Sequence, residues 1–234
     1  NFKMGVEVMD RKMGIVLDAI DRAGLRDSTL VICTTDHGPG FPEMKCTLTD
    51  RGIGVMMILR GPEGSGFCGG KVSDAMVAHM DLYPTLCELL GLEKPDWLQG
   101  ESLLPLVRGE REEIHEALFA ELSYHGKYRP LRAVRTRRYK YIRSFDPGAR
   151  WGVDRGPAQE MWEEHGYGQA PHPEEELFDL LFDPNEANNL ADRGTHRQVL
   201  EEMRGHLREW MERTADPILG DGVPPPPGWE RQGG

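Results

Sequence analysis

Apolar side chains recur at three- and four-residue steps near the start of the chain: Val6, Met9, Met13, Val16, Leu17 and Ile20. A stripe at that spacing predicts an amphipathic helix over residues 4–23, and Gly24 is placed to end it as a left-handed cap. The pattern then changes period. Leu30-Val31-Ile32-Cys33 is short, apolar and partly β-branched, which predicts a buried strand stopped by the Gly and Pro residues that follow. A helix joined to a strand by a polar loop is the repeating unit of α/β folds. A second apolar run, Ile53–Leu59, closes at Arg60-Gly61-Pro62, and a glycine-rich loop (64–70) leads to Lys71-Val72-Ser73. Leu82–Leu90 predicts a short helix with Asp81 as its acidic cap, Pro84 in the first turn and Gly91 after the last.

Beyond about residue 115 the pattern favours strands. Leu118–Leu122, Leu131–Ile142 and Glu176–Leu180 read as strands, the second as a hairpin turning at Arg137-Arg138. Val199, Leu200, Met203, Leu207, Trp210 and Met211 place one apolar face on a helix over 196–213. Strands followed by one helix predict a small α+β subdomain. The domain expectation is therefore an α/β core portion at 1–115, an α+β subdomain at 116–216, and a solvated, disordered tail at 217–234 that holds four consecutive prolines.

Composition changes this picture little. At 234 residues, with 38% hydrophobic and 29% charged positions, the chain can bury a real core. A net charge of −11 argues against a nucleic-acid partner, while leaving an anionic small substrate open, because local charge decides that. Cys33, Cys46, Cys68 and Cys87 show no metal-ligand spacing; Cys33 and Cys87 lie in apolar runs and read as buried free thiols. No apolar stretch reaches the length of a membrane span, so no membrane partner is expected. No signal peptide is visible, and the chain opens on Asn1-Phe2-Lys3 and enters a helix at once, which reads as a segment of something longer.

The candidate chemistry sits where the Leu30 strand gives way to Thr34-Thr35-Asp36-His37-Gly38-Pro39-Gly40-Phe41-Pro42-Glu43-Met44-Lys45. Open α/β sheets bind ligands at the carboxyl ends of their strands. An acid beside an imidazole there can hold a divalent cation, and Lys45 can then present positive charge to an anion on that cation. Taken alone, the pair reads equally well as a loop carboxylate bonded to backbone amides beside an ordinary histidine. The remaining polar residues take structural readings. His79 reads as a packed or interfacial histidine, Glu160, Glu163, Glu164 and Glu174–Glu176 as surface charge, and Arg132, Arg135, Arg137, Arg138, Lys140 and Arg143 as the solvated face of the hairpin. His125, in a loop, is a candidate for lining a substrate pocket.

The order of these pieces carries a resemblance. Leu30-Val31-Ile32-Cys33-Thr34-Thr35-Asp36-His37-Gly38, Lys45, Asp50-Arg51-Gly52-Ile53-Gly54-Val55 and Arg60-Gly61-Pro62 come first. His79-Met80-Asp81-Leu82-Tyr83-Pro84-Thr85-Leu86, Val134–Ile142, Glu176–Leu180, Asp183-Pro184-Asn185-Glu186 and Asn189-Leu190 follow. From residue 1 to about 213 this succession resembles the second half of a sulfatase, and the Phe41-Pro42 loop is similar to the heparan N-sulfatase branch. The resemblance implies part of an alkaline-phosphatase-like sandwich core with a smaller C-terminal α+β subdomain. It also implies a calcium ion ligated by Asp36 and His37, and a sulfate contacted by Lys45. Calcium prefers oxygen, which makes Asp36 the stronger ligand; the imidazole would suit zinc better, but calcium is the first choice.

The formylglycine nucleophile that the resemblance implies arises in a Cys/Ser-x-Pro-x-Arg motif, which no cysteine or serine of this chain begins. The paired aspartates that complete the metal site are absent as well. The expectation is a sulfatase portion that is inactive alone and needs the missing N-terminal part of the same protein to act on a sulfated small molecule or glycan. A phosphodiesterase or phosphonate monoester hydrolase of the same superfamily, and a non-catalytic sulfatase-like binding module, are the alternatives.

Overall fold

The computed structural model describes residues 2–125, 127–146, 148, 156–167, 172–225 and 227. In chain order the elements are α1 (Phe2–Arg22), β1 (Val31–Thr34), α2 (Asp50–Ile53), β2 (Met57–Arg60), α3 (Leu82–Leu90), α4 (Leu104–Arg108), β3 (Leu118–His125), β4 (Lys127–Arg135), β5 (Tyr139–Ser144), α5 (Pro157–Glu164), β6 (Glu175–Asp179) and α6 (Arg197–Arg213). They gather into two compact units, Asn1–Thr34 with Met56–Ile114, and Thr35–Val55 with His115–Gly234. No helix among the described residues is long and apolar enough to cross a membrane.

In the first unit β1 and β2 form an antiparallel pair, with Val31 opposite Arg60 and Thr34 opposite Met57. Phe67, Leu103, Leu104 and Ile114 make its core, with Leu59, Leu82 and Leu89 packed around them. Gly24 (φ +70°) and Gly91 (φ +66°) hold the left-handed backbone their places as helix stops require. β1 is half-buried rather than buried, because a two-stranded sheet has too little cover for both faces. Its thiol, Cys33, is correspondingly half-buried, and only Cys87 is buried. Asp81 does not cap α3. Its buried carboxylate instead accepts the Ala78 amide (2.7 Å), closing the turn before α3, and the Glu101 amide (2.9 Å), which ties in the chain after the helix.

The second unit is an antiparallel sheet in the order β3-β4-β5-β6. The β4–β5 hairpin turns at residues 136–138, at the Arg137-Arg138 position expected from the flanking strands, with Arg135 opposite Lys140. Side chains alternate across a strand, so each face has its own core. Val134, Tyr141 and Leu177 pack on Leu200, Met203, Leu207 and Met211 of α6. Leu131, Ala133, Ile142 and Phe178 pack on Leu48 and Ile53 from the other side. The segment that carries the candidate site is thereby a layer of this unit.

Three expectations about charge and order change here. Arg132 and Lys140 are not solvated: they are 1% and 0% exposed, because each finds a carboxylate partner inside the fold. Glu175 is not free surface charge either, since it pairs with Arg204 and accepts from the Tyr141 hydroxyl. The third concerns the tail. Arg132 Nε and Nη2 donate to both oxygens of Asp216 (2.5 and 2.9 Å), and Asp216 in turn caps a short 3-10 turn at Pro217–Leu219. Residue 223 is tied back as well, its carbonyl accepting the Tyr124 hydroxyl at 2.9 Å. The tail is ordered at its start, and residues 226 and 228–234 lie outside the described residues.

Burial alone would raise the Asp216 carboxyl, but Arg132 and the Ile218 amide outweigh it and hold the group below its usual range. Removing one partner of a buried pair strands the other charge, at a cost of about 3–5 kcal/mol. Asp216→Ala is therefore expected to lower the unfolding free energy by that amount in a urea titration, and the double change Arg132→Met with Asp216→Leu to recover most of it. A carboxylate held low in the folded state stabilises above its unfolded pKa of about 3.9. In the unsubstituted chain this contribution should accordingly be lost as pH falls below that value.

Candidate metal-binding loop

Asp36 and His37 follow β1 after one intervening residue, and a short loop of hydrogen bonds fixes both. The His37 amide donates to Asp36 Oδ1 (3.1 Å), turning the carboxylate back over its neighbour. His37 Nδ1 lies 2.6 Å from the Gly38 carbonyl oxygen. A carbonyl only accepts, so Nδ1 carries the proton, and Nε2 of the neutral ring is left as an acceptor. Nε2 lies 3.4 Å from Asp36 Oδ2, an ion pair where the ring is protonated and a pair of acceptors where it is neutral. Two acceptors at this separation repel each other unless a proton or a cation lies between them. Asp36 is 86% exposed in its side chain and His37 40%, so an ion can reach both.

The donor set fits a divalent cation: one hard oxygen, and one imidazole nitrogen whose other nitrogen is anchored on a backbone carbonyl, the arrangement that orients metal-binding histidines. Among the described residues no group of three or more His, Cys, Asp or Glu side chains is placed to hold a metal, so this loop offers a pair of ligands.

The loop keeps its shape because it touches α2 backbone to backbone. The Gly38 amide donates to the Gly52 carbonyl at 2.9 Å. A Cβ at Gly38 would fall 1.8 Å from the Arg51 carbonyl oxygen, and one at Gly52 would fall 2.4 Å from that of Thr47. Only glycine fits at either place. α2 is itself anchored by charge. The Asp50 carboxylate takes Arg135 Nε at 3.1 Å and the buried ammonium of Lys140, while Glu186 accepts the Asp50 amide (2.6 Å) and lies 3.0 Å from Lys140. Burial would raise Asp50, but Lys140 and Arg135 outweigh it and hold the carboxyl below its usual range. At Glu186 burial wins over Lys140 and the group is pushed up.

Lys45 belongs to the same folded loop. The Phe41 and Lys45 amides both donate to the Pro39 carbonyl (2.9 and 3.1 Å), which folds the Lys45 backbone back onto Pro39. The structure thus brings Asp36, His37 and Lys45 onto one loop. His125 lies elsewhere in the unit, on the β3–β4 hairpin. It is the exposed last residue of β3, paired with Lys127, and not a loop residue, because the ladder continues to the tip. His79, in the first unit, meets the Thr34 hydroxyl at 2.7 Å; that hydroxyl donates to the Met56 carbonyl and so accepts from His79.

Sequence reasoning missed a second polar group beside this loop. Arg129 and His172, each 6% exposed, join through Nη2 and Nδ1 at 3.2 Å, and Arg129 Nη1 donates to the Cys46 carbonyl at 3.1 Å. Burial first, then the charge of Arg129, pushes His172 down to about 3, so it stays a neutral acceptor. Burial pushes Glu176 up to about 7, with Glu186 and Glu43 adding to the rise and Arg129 opposing it. Tyr167 is pushed up to about 12, chiefly by burial, and accepts the Glu43 amide at 3.2 Å. These residues are too scattered for any spacing to reveal them. For Lys140 there was a signal: strand alternation puts it in phase with the inward-facing Ile142.

Comparison with known proteins places the chain among sulfatases and their relatives. The family model described as N-sulphoglucosamine sulphohydrolase, C-terminal, matches residues 44–157. An ulvan-active sulfatase of Formosa agariphila is 30% identical over 226 residues, covering 89% of this chain and 37% of that protein. Human N-sulphoglucosamine sulphohydrolase is 29% identical over 237 residues, covering 89% of this chain and 46% of its own length. Among solved structures, a 2-O GAG sulfatase superposes with a TM-score of 0.66 at 27% identity, over 86% of this chain and 40% of its own. The phosphonate monoester hydrolase of Agrobacterium radiobacter does so with a TM-score of 0.64 at 25% identity, over 88% and 39%. The chain spans less than half the length of each of these relatives. Its ordered motifs, its alkaline-phosphatase-like α/β fold and these matches together support a sulfatase-family C-terminal portion, with heparan N-sulfatase-like members among its relatives.

Proposed function

We propose that this chain supplies part of the active site of a sulfatase that hydrolyses a sulfate ester or sulfamate. Asp36 and His37 ligate a divalent cation, and Lys45 contacts the sulfuryl group. The observation that carries this reading is the approach of Asp36 Oδ2 and His37 Nε2 to 3.4 Å, on a loop that also folds Lys45 back.

Calcium is the favoured ion because the exposed carboxylate offers a hard oxygen; the imidazole nitrogen makes zinc its competitor. When bound, the cation polarises the sulfuryl oxygens as a Lewis acid. Lys45 would then neutralise charge that builds on the non-reacting oxygens, an effect that grows in a site shielded from water. The nucleophile, a formylglycine, belongs to the N-terminal part of the same protein. On this reading the chain alone binds a cation weakly and turns nothing over.

The substrate class is a sulfated small molecule or glycan. This is supported by relatives named for ulvan and for N-sulphoglucosamine. A second reading, hydrolysis of phosphonate monoesters or phosphodiesters on the same site, is favoured by the likeness to the phosphonate monoester hydrolase.

Calorimetric titration of the purified chain with calcium tests the metal pair. Asp36→Asn should weaken binding by tenfold or more, about 1.4 kcal/mol, and His37→Ala by less. Titration with zinc should be weaker, and a tighter zinc isotherm dominated by His37 would replace calcium with zinc in this reading.

The reaction is tested on the intact protein with aryl sulfate, sulfamate and phosphonate monoester substrates. Faster turnover of a sulfuryl substrate is expected, with Lys45→Ala lowering kcat/KM by about a hundredfold. Preference for the phosphonate would establish the second reading instead. The isolated chain should show no turnover of any of them, and measurable sulfatase activity from it would refute the division of the active site.

A further inference from the structure

Lys45 sits in a turn whose backbone is unusual on both sides of it. Glu43 has φ +59° and Cys46 has φ +68°, and neither is glycine. An L-residue avoids this left-handed region because its Cβ crowds the neighbouring carbonyl. Two such residues within four positions persist only where the surroundings over-determine the turn. The turn's own bonds, from Met44 to Phe41 (3.2 Å) and from Thr47 to Met44 (3.1 Å), are the ordinary bonds of a loop and do not by themselves favour positive φ.

The extra restraint comes from distant parts of the second unit, at the two strained residues themselves. The Glu43 amide donates to the Tyr167 phenol oxygen, and the Cys46 carbonyl accepts from Arg129 Nη1. Each contact is made firm from behind. Arg129 is buried, and its other arm is held by a neutral His172 that can accept but does not repel. Glu176 draws on the same guanidinium from β6. The proton on the Tyr167 hydroxyl is retained to about pH 12, so its oxygen stays a neutral acceptor over the working range.

We propose that Arg129 and Tyr167 are positioning residues for Lys45: by pinning Cys46 and Glu43 in left-handed backbone they set the point from which the Lys45 side chain reaches the bound anion. The proposal rests on the reading of Lys45 as the cation that contacts the sulfuryl group, and it names what fixes that cation in place.

The test uses the chain as it stands, with two readouts. Hydrogen exchange at amides 43–47 reports the turn. The rate at which an amine-acylating reagent modifies Lys45, with and without inorganic sulfate, reports whether the lysine is placed to meet an anion. Arg129→Gln should speed exchange across the turn about tenfold while leaving the α6 amides unchanged, and should abolish sulfate protection of Lys45. Tyr167→Phe should do the same to a smaller extent. Adding Cys46→Gly to Arg129→Gln should restore both readouts in part, because glycine adopts positive φ without strain. A merely structural role for Arg129 would not give that rescue.

Unchanged exchange and unchanged sulfate protection in Arg129→Gln would overturn the proposal, as would failure of the glycine rescue. If Arg129→Gln fails to fold, Arg129→Lys, which keeps the buried charge but shortens its reach, is judged by the same two readouts. If sulfate does not protect Lys45 even in the unsubstituted chain, the anion-contact reading falls, while the exchange data still decide whether Arg129 and Tyr167 hold the turn.

Discussion

A lysine ammonium with no exposed surface has given up its water, and Lys140 is such a group. The loss is of order several kcal/mol per ion and is offset only by well-placed opposite charge. Asp50 and Glu186 supply it, with Arg135 sharing the Asp50 carboxylate. Such a cluster adds little net stability, but it strongly selects one arrangement of the segments that carry its members. The segment selected is α2, a single turn of four residues that is too short to hold its own helical shape in water. Fixing α2 fixes the Gly52 carbonyl, and through it the Gly38 amide beside Asp36 and His37.

The same logic recurs along the β4–β5 hairpin. Arg129, Arg132, Arg135 and Lys140 come from adjacent strands, and each holds a segment that is remote in sequence: Cys46, Asp216, Asp50 and Glu186. The chain's excess of acid does not describe this interior. Here the cations come from the sheet and the partners that meet them come from loops and from the start of α2. Such pairing leaves little freedom in how the loops lie, because moving one exposes an unpaired buried charge. The apolar cores on either face of the sheet supply the driving force, and the buried ion pairs decide the register in which the loops dock.

This division explains what could be read from the sequence. α1, α6, the strands and the hairpin at residues 136–138 were legible because a helix or strand repeats its pattern over a few residues. Gly24 and Gly91 were legible because a positive φ at a helix end calls for glycine. The buried state of Arg132 and Lys140 was not, since a charged residue in a strand reads as solvated unless its partner is known, and Asp216 lies 84 positions away from Arg132. The candidate site divides the same way. Asp36, His37 and Lys45 lie within one short stretch and could be picked out together. Arg129, Tyr167 and His172 converge on that stretch only after the sheet has formed, and His125 was read as a loop residue because the pairing of Tyr124 with Tyr128 extends the hairpin further than its composition suggests.

The Asp36–His37 pair itself shows why support from a distance matters. Asp36 is largely in water, so its carboxylate has no packing to hold it, and its one fixed oxygen is the one that accepts the His37 amide. The imidazole is steadier, being held by the Gly38 carbonyl, but that carbonyl belongs to the residue whose amide rests on Gly52. Both side chains therefore take their orientation from adjacent backbone groups, Asp36 from the His37 amide and His37 from the Gly38 carbonyl. A side chain at residue 38 would collide with the Arg51 carbonyl oxygen and push the loop off α2, turning the histidine lone pair away from Asp36 Oδ2. Glycine at this place serves the geometry of the Asp36–His37 pair directly, and the buried charges around Lys140 keep the surface it rests on from moving.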